Sequence, residues 1–250
     1  MNSQEILASW DAQQSAYIAH REGRFDAILD VLELKFGSEP ITVVDLACGP
    51  GSLGARILDR FASARVIGVD YDPSLLELAR RTTRHPSRST FLDADLTDSS
   101  WLDDVREMAD GPVHAAVSTT ALHWLLPPQL VQLYSEVHEL LAGGIFLNGD
   151  HFRFDDRTPH AADWAGRHDD RTQQRAFDSG ALQWSSWWDA LAEEPGMTDL
   201  LAERERRFSS RTSSPPTTVE FQLAALKQAG FVESGTVWQL FDDYVVYGVR

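Results

Sequence analysis

The stretch Val43-Val44-Asp45-Leu46-Ala47-Cys48-Gly49-Pro50-Gly51-Ser52-Leu53-Gly54 decides how this chain is read. A short apolar run of the kind that forms a buried strand meets a carboxylate, and a glycine-rich bend follows at once. Glycine permits backbone angles and close contacts that a β-carbon would obstruct, so main chain in such a bend can approach a ligand. From Ser52 to Phe61 a helix is expected, and its first N–H groups have no partner within the helix. The combination predicts a cradle for a nucleotide cofactor at the end of a strand.

Gly49, Gly51 and Gly54 also satisfy the G-x-G-x-x-G spacing of dinucleotide-binding proteins, a weak pattern when read alone. A pyrophosphate needs N–H donors at a helix start and no competing negative charge. Here Pro50 removes one donor from the loop, and Asp45 places a carboxylate immediately before it. The pair suits a ligand carrying an ammonium and a sulfonium, which is what S-adenosylmethionine presents. An NAD(P)-dependent oxidoreductase stands as the alternative.

Outward from this bend the strand-end acids recur. Arg65-Val66-Ile67-Gly68-Val69-Asp70 reads as the next strand, and Asp70 lies about 20 residues beyond the glycines, where a βαβ unit places its ribose-binding acid. Ser89 to Leu92 gives a third strand with Asp95 just past it, Val113 to Ser118 a fourth, and Gly144 to Asn148 a fifth. Strands alternating with helices indicate a doubly wound, mainly parallel sheet, with ligands held beyond the strands' carboxyl ends.

On these segments, from Ile41 to Gly149 and again near the C-terminus, the chain resembles the class I S-adenosylmethionine-dependent methyltransferases. The resemblance implies a Rossmann-like α/β fold with a seven-stranded sheet. It further implies that Asp45, Ala47, Gly49 and Gly51 hold the methionyl part of the cofactor. Asp70, with Tyr71 beside it, would take the ribose hydroxyls, Asp95 and Leu96 the adenine, and Thr119 would line the same site. Ala47 stands where that loop usually has its first glycine, and alanine is the smallest replacement. Leu122-His123-Trp124-Leu125 is similar to a stretch in small-molecule carboxylate methyltransferases of the trans-aconitate type.

Composition fits such an enzyme. A chain of 250 residues with 43% hydrophobic content can bury the core of one α/β domain and still carry an insertion. The formal net charge of −16 opposes a nucleic-acid substrate, because polyphosphate binding draws on a positive field. Cys48 is the one cysteine, which leaves no intrachain disulfide and no cysteine-based zinc cluster; no metal is expected. Met1 to Trp10 has no secretory pattern and no long apolar run occurs, so a cytoplasmic protein without membrane contact is expected, as monomer or homodimer.

Four regions follow. Residues 1–40 carry helical spacing, with Tyr17, Ile18, Phe25, Ile28, Leu29, Leu32 and Leu34 grouped mainly on one side, and predict two helices. Residues 41–150 form the cofactor-binding core. Residues 151–217, rich in tryptophan and charge and ending in a Ser/Pro-rich run, read as a helical cap inserted over the cofactor. Residues 218–250 supply the last helix and a hairpin from Phe231 to Leu240 and Tyr244 to Val249.

Methyl transfer is an in-line displacement, so the acceptor atom must be held close to the methyl group with water kept out. A carboxylate acceptor needs no base, whereas a hydroxyl must lose a proton to a poised group. His123 and His151, following the fourth and fifth strands, are the candidate catalytic residues. Trp124, Tyr17 and Arg153 are candidates for contact with a small-molecule acceptor, and Arg24, near Tyr17 and Arg21 on the N-terminal helical face, for the methionyl carboxylate. Trp184, Trp187 and Trp188 fit core packing of the cap, and Arg157 and Arg167 fit a neutralised surface among aspartates. The reading is transfer of a methyl group to an acceptor oxygen, carboxylate ahead of hydroxyl. The alternatives are N- or C-methylation, or a binding protein that keeps the cofactor without transferring its methyl.

Overall fold

Strand β1, Thr42–Leu46, is closed to solvent at all five positions, as a central strand covered on both faces must be. The computed structural model describes residues 2–250. Around β1 the sheet continues with β2 (Arg65–Asp70), β3 (Ser89–Asp93), β4 (Val113–Thr119), β5 (Leu141–His151), β6 (Glu233–Leu240) and β7 (Asp243–Val249), in the order β3-β2-β1-β4-β5-β7-β6. The pairings among β1 to β5 are parallel, and β7 lies antiparallel to both β5 and β6. This is the expected doubly wound, seven-stranded sheet with its terminal hairpin. The order reverses between β1 and β4, which opens a crevice at their carboxyl ends.

Successive side chains on a strand point to opposite faces, and the two cores follow that alternation. Val43, Ala115, Val117, Ile145 and Leu147 face helices α2 (Arg21–Phe36) and α3 (Ser52–Arg60). Val44, Leu46, Ala116 and Phe146 face α5 (Trp101–Ala109), α6 (Pro127–Leu140) and α10 (Val219–Gln228). At Gly144 an added β-carbon would lie 2.0 Å from the His114 carbonyl oxygen, so β5 can approach β4 there only with glycine. Helix α4 (Pro73–Thr82) starts from the side chain of Asp72, which accepts the N–H groups of Ser74 and Leu75.

Two helices precede the sheet as expected, α1 (Ser3–Tyr17) and α2. Phe25, Ile28, Leu29 and Leu32 share a face of α2 at helical spacing and are buried, but Leu34 is 88% exposed. Two residues beyond Leu32 means about 200° around the helix, which carries Leu34 to the outer side and corrects its grouping with the core.

The insertion is helical: α7 (Pro159–Asp178), α8 (Trp184–Ala192) and α9 (Thr198–Phe208). Trp187 is fully buried, its indole N–H donates to the Ile6 carbonyl at 3.2 Å, and its ring lies edge-on to Trp10 at 4.7 Å. Together with Leu191 and Met197 these residues form a third core that seats the insertion on α1 and α4. Among the described residues no helix is long and apolar enough to cross a membrane.

Candidate active site

The loop after β1 is built from residues in left-handed backbone. Ala47, Gly49 and Gly51 have φ of 53°, 54° and 82°. The position where alanine replaces glycine is thus one that demands a left-handed residue, at a cost of about 1–2 kcal/mol for any side chain with a β-carbon. Cys48 N–H donates to the Val69 carbonyl at 3.0 Å and Gly51 N–H to the Cys48 carbonyl at 3.0 Å, pinning the loop across β2. Trp10 on α1 and Leu75 on α4 flank Gly49 from outside.

Two acids at the strand ends face this loop. Asp45 Oδ2 accepts the Gly54 N–H at 3.2 Å, while its Oδ1 is buried with no hydrogen-bond partner. Burial is the main cause that pushes its carboxyl up to about 7, opposed by the Gly54 N–H and reinforced by Asp70. Asp70 accepts the Gly49 N–H at 2.7 Å and the Asp72 N–H at 2.8 Å, and burial pushes it up to about 6. A carboxylate has about four lone-pair sites, so Asp70 keeps acceptor capacity for hydroxyls. A buried anion with an orphan oxygen, beside a second buried anion, is the donor set a cationic ligand relieves. These residues therefore fit the ammonium and sulfonium of S-adenosylmethionine.

Toward β3 the insertion meets the site through arginine pairs that were not singled out from sequence. Arg211 Nη2 lies 2.9 Å from Asp95 Oδ2 and its guanidinium stands 4.4 Å from the Tyr71 ring centroid. Arg207 pairs with Asp93 at 2.5 Å and donates to the Tyr71 carbonyl, and Arg204 pairs with Asp72 at 2.6 Å. Phe208 stacks obliquely on Tyr71 at 5.6 Å. Asp95 also accepts both the N–H and the hydroxyl of Thr97, and Leu96 beside it is buried. The signal available was charge: three arginines in the cap, at helical spacing, opposite Asp72 at the start of α4 and the acids Asp93 and Asp95 at the end of β3.

Beyond β4 and β5 lies a histidine–carboxylate pair. A 3₁₀ turn at Leu122–Trp124 carries His123, whose Nδ1 lies 2.8 Å from Asp150 Oδ1. Asp150, wholly buried on β5, also accepts the backbone N–H groups of His123 and His151. Burial pulls the His123 imidazole down, but the Asp150 charge and hydrogen bond outweigh it and set its pKa above the ordinary value; Asp150 in turn is held down to about 2. With Nδ1 turned to the carboxylate, Nε2 is the atom left for chemistry. Asp150 was not singled out from sequence, although it sits at a strand end between the two expected histidines.

The other expected residues fall as follows. Trp124 is 61% exposed, with its ring 5.1 Å from that of His123, at the mouth of the site. His151 directs Nδ1 toward Asp242 at 3.9 Å, and Arg153 is held by Asp242 at 2.8 Å and Asp169 at 3.3 Å. Tyr17 packs edge-on against Phe177 of α7, 5.7 Å away, in a contact that joins α1 to the cap. Thr119 ends β4 beside Thr120, the two hydroxyls 3.2 Å apart. Arg24 is the one that departs most from expectation: it is closed to solvent and its two Nη groups are engaged by Asp243, Thr120 and the Gly149 carbonyl. Arg157 and Arg167 are neutralised by Asp155 and Asp163 as expected.

Comparison with known proteins adds an independent line. Residues 43–144 match a family described as a methyltransferase domain. The trans-aconitate 2-methyltransferase of Azoarcus sp. (strain BH72) is 30% identical over 141 residues, covering 56% of this chain and 49% of that protein. The enzyme of the same name from Streptomyces coelicolor is 32% identical over 120 residues, 47% of this chain and 37% of that one. The alignments thus span half or less of the length of these curated relatives. Among solved structures, the S-adenosylmethionine-dependent methyltransferase SibL in its apo form superposes with a TM-score of 0.55 at 18% identity, over 92% of this chain and 56% of that one. This last likeness concerns the fold.

Proposed function

We propose that this chain, whose residues 43–144 match a methyltransferase domain and which is similar to methyltransferases in sequence and fold, transfers a methyl group from S-adenosylmethionine to an oxygen of a small-molecule acceptor. The observation that carries the acceptor side is the pair of His123 with buried Asp150 at the carboxyl ends of β4 and β5. When bound, S-adenosylmethionine supplies an electrophilic methyl group on sulfur. Asp45 and the Ala47 to Gly51 loop would receive its methionyl portion, Asp70 the ribose hydroxyls, and Tyr71, Asp95 and Leu96 the adenine, with Thr119 along the floor. The insertion, latched by Arg204 and Arg207, excludes water from that edge.

Asp150 fixes the tautomer in which His123 Nε2 accepts a proton, and it stabilises the imidazolium that results. Such a base is what a hydroxyl acceptor requires as its oxygen attacks, and a base contributes about 10²–10⁴ in rate. A hydroxyl acceptor is therefore the reading the geometry supports best. A second reading rests on the relatives named trans-aconitate 2-methyltransferase: a carboxylate acceptor, for which protonated His123 would hold one oxygen while the other attacks. Trp124 flanks either acceptor, and His151 and Arg153 stand on the same side.

The test uses cofactor labelled in its methyl group, a panel of hydroxylated metabolites and a panel of di- and tricarboxylates including trans-aconitate. Label in an alkali-stable ether, with turnover rising through the His123 pKa as pH increases, supports the hydroxyl reading. Label released as methanol by mild alkali, with turnover falling over the same range, supports the carboxylate reading. Transfer that is undiminished in His123→Gln removes the residue from both.

A further inference from the structure

We propose that Arg24 is a positioning residue: a buried strut that sets the distance between His123 and Asp150. The proposal rests on the reading of His123 and Asp150 as the acceptor-side pair, and it begins from a charge placed where charges are expensive. Arg24 lies on α2, is fully buried, and reaches across to the ends of β4, β5 and β7. Burying a guanidinium is unfavourable unless it is paired and hydrogen-bonded, and here Asp243 supplies the counter-charge. Its Nη1 then donates to the Thr120 hydroxyl at 2.6 Å and to the Gly149 carbonyl at 3.0 Å, with Thr119 Oγ1 at 3.4 Å.

Those acceptors sit next to the two halves of the pair. Gly149 immediately precedes Asp150. Thr120 is the residue at which the chain leaves β4 for the turn that carries His123, and its N–H also donates to the Gly149 carbonyl, at 2.8 Å. One planar side chain thus joins the Gly149 backbone to the Thr120 side chain, the two points that flank the 2.8 Å hydrogen bond from His123 Nδ1 to Asp150.

Two independent features show that the local structure is arranged around this side chain. At Gly149 an added β-carbon would come within 2.5 Å of Arg24 Cδ and 2.8 Å of Cγ, so the stem can lie on β5 only because residue 149 is glycine. Thr120 has a φ of 57°, a left-handed conformation that is a genuine outlier for a β-branched residue. Such strain persists only where the surroundings over-determine it, and here Arg24 Nη1 on the Thr120 hydroxyl acts together with the Thr120 N–H on the Gly149 carbonyl. The charges facing the pair are Arg24 from α2, His151 and Arg153 at the end of β5, and Asp242 and Asp243 where β6 turns into β7. The arginine charge also favours the Asp150 carboxylate.

The test requires no acceptor. The His123 ring is titrated by NMR in the full chain, its signal identified by its loss in His123→Gln. Wild type is compared with Arg24→Lys, which keeps the charge but loses the fork, and with Thr120→Val and Thr120→Ser. Calorimetry with S-adenosylhomocysteine monitors the cofactor site in each. We expect Arg24→Lys and Thr120→Val to lower the His123 pKa by about half a unit or more toward its ordinary value as the Asp150 contact loosens. Thr120→Ser, which keeps the hydroxyl, should titrate as wild type, and cofactor-product affinity should stay within about twofold throughout. Unchanged titration in both Arg24→Lys and Thr120→Val would overturn the proposal, as would lost S-adenosylhomocysteine binding with the His123 titration intact. If Arg24→Lys fails to fold, Thr120→Val decides. Should wild type itself bind no S-adenosylhomocysteine, the cofactor assignment fails while the titrations still judge the strut.

Discussion

Cofactor affinity should depend on pH through Asp45, and the size of the effect follows from its surroundings. Burial raises Asp45 to about 7 and Asp70 to about 6, from an ordinary 3.8. Both shifts are upward, so the folded chain holds protons that the unfolded chain has released. Unliganded stability therefore falls as pH rises from about 4 to about 7, by roughly 4 kcal/mol for Asp45 and roughly 3 for Asp70, and is flat above that window. A cationic ligand prefers the ionised pair and recovers part of that cost. A carboxyl titrating near 7 is about one-tenth ionised at pH 6 and about nine-tenths at pH 8, which predicts about tenfold tighter binding at pH 8. Isothermal calorimetry with S-adenosylmethionine, in two buffers of different ionisation heat, should detect both the change in affinity and the protons released near pH 6 to 7. Asp45→Asn should bind more weakly at pH 8 and lose most of the dependence. Wild-type affinity that is level between pH 6 and 8 without proton release, or an Asp45→Asn protein that keeps the full slope, would refute the argument that a buried, half-partnered anion receives the positive end of the cofactor.

Three further outcomes follow from the geometry. Ala47→Gly should raise thermal stability by about 1 kcal/mol, because the residue already holds a φ of 53° that glycine adopts freely; a lowered melting temperature would count against strain at this position. Arg211→Ala should strengthen S-adenosylhomocysteine binding by roughly two- to fivefold, the worth of a partly exposed ion pair, since Arg211 occupies Asp95 and the Tyr71 ring face; weaker binding would make Arg211 part of the adenine contact instead. Trp187→Ala should cost about 3–5 kcal/mol through the cavity left between α8 and α1. Limited proteolysis should then cut the 151–217 insertion first, and uniform cleavage along the chain would show that its seating does not depend on that core.

The strand-and-bend pattern around Asp45, the acids at 70 and 95 and the alternation of elements are local in sequence, and each fixes local backbone. That is why the strand positions and the doubly wound sheet were legible without coordinates. Even the departure at Ala47 pointed to a real feature, a left-handed residue where glycine would sit more easily.

What the chain decided by itself is the character of each segment: buried strand, glycine bend, amphipathic helix, charged insertion. Which charges meet was settled only by tertiary structure, because an ion pair such as Arg24 with Asp243 joins residues 219 positions apart and Arg211 with Asp95 joins residues 116 apart. Arg24 looked free to clamp a ligand and is instead folded inward, a choice made possible by the missing β-carbon of Gly149. His123 was visible as a histidine after a strand, but its hydrogen-bond partner Asp150 lies on the neighbouring strand, and only the pairing of β4 with β5 brings the turn after β4 to that carboxylate. Periodicity is encoded along the backbone, whereas the partner of a long polar side chain is selected by packing in three dimensions, where an unpaired buried charge is the outcome the fold must avoid.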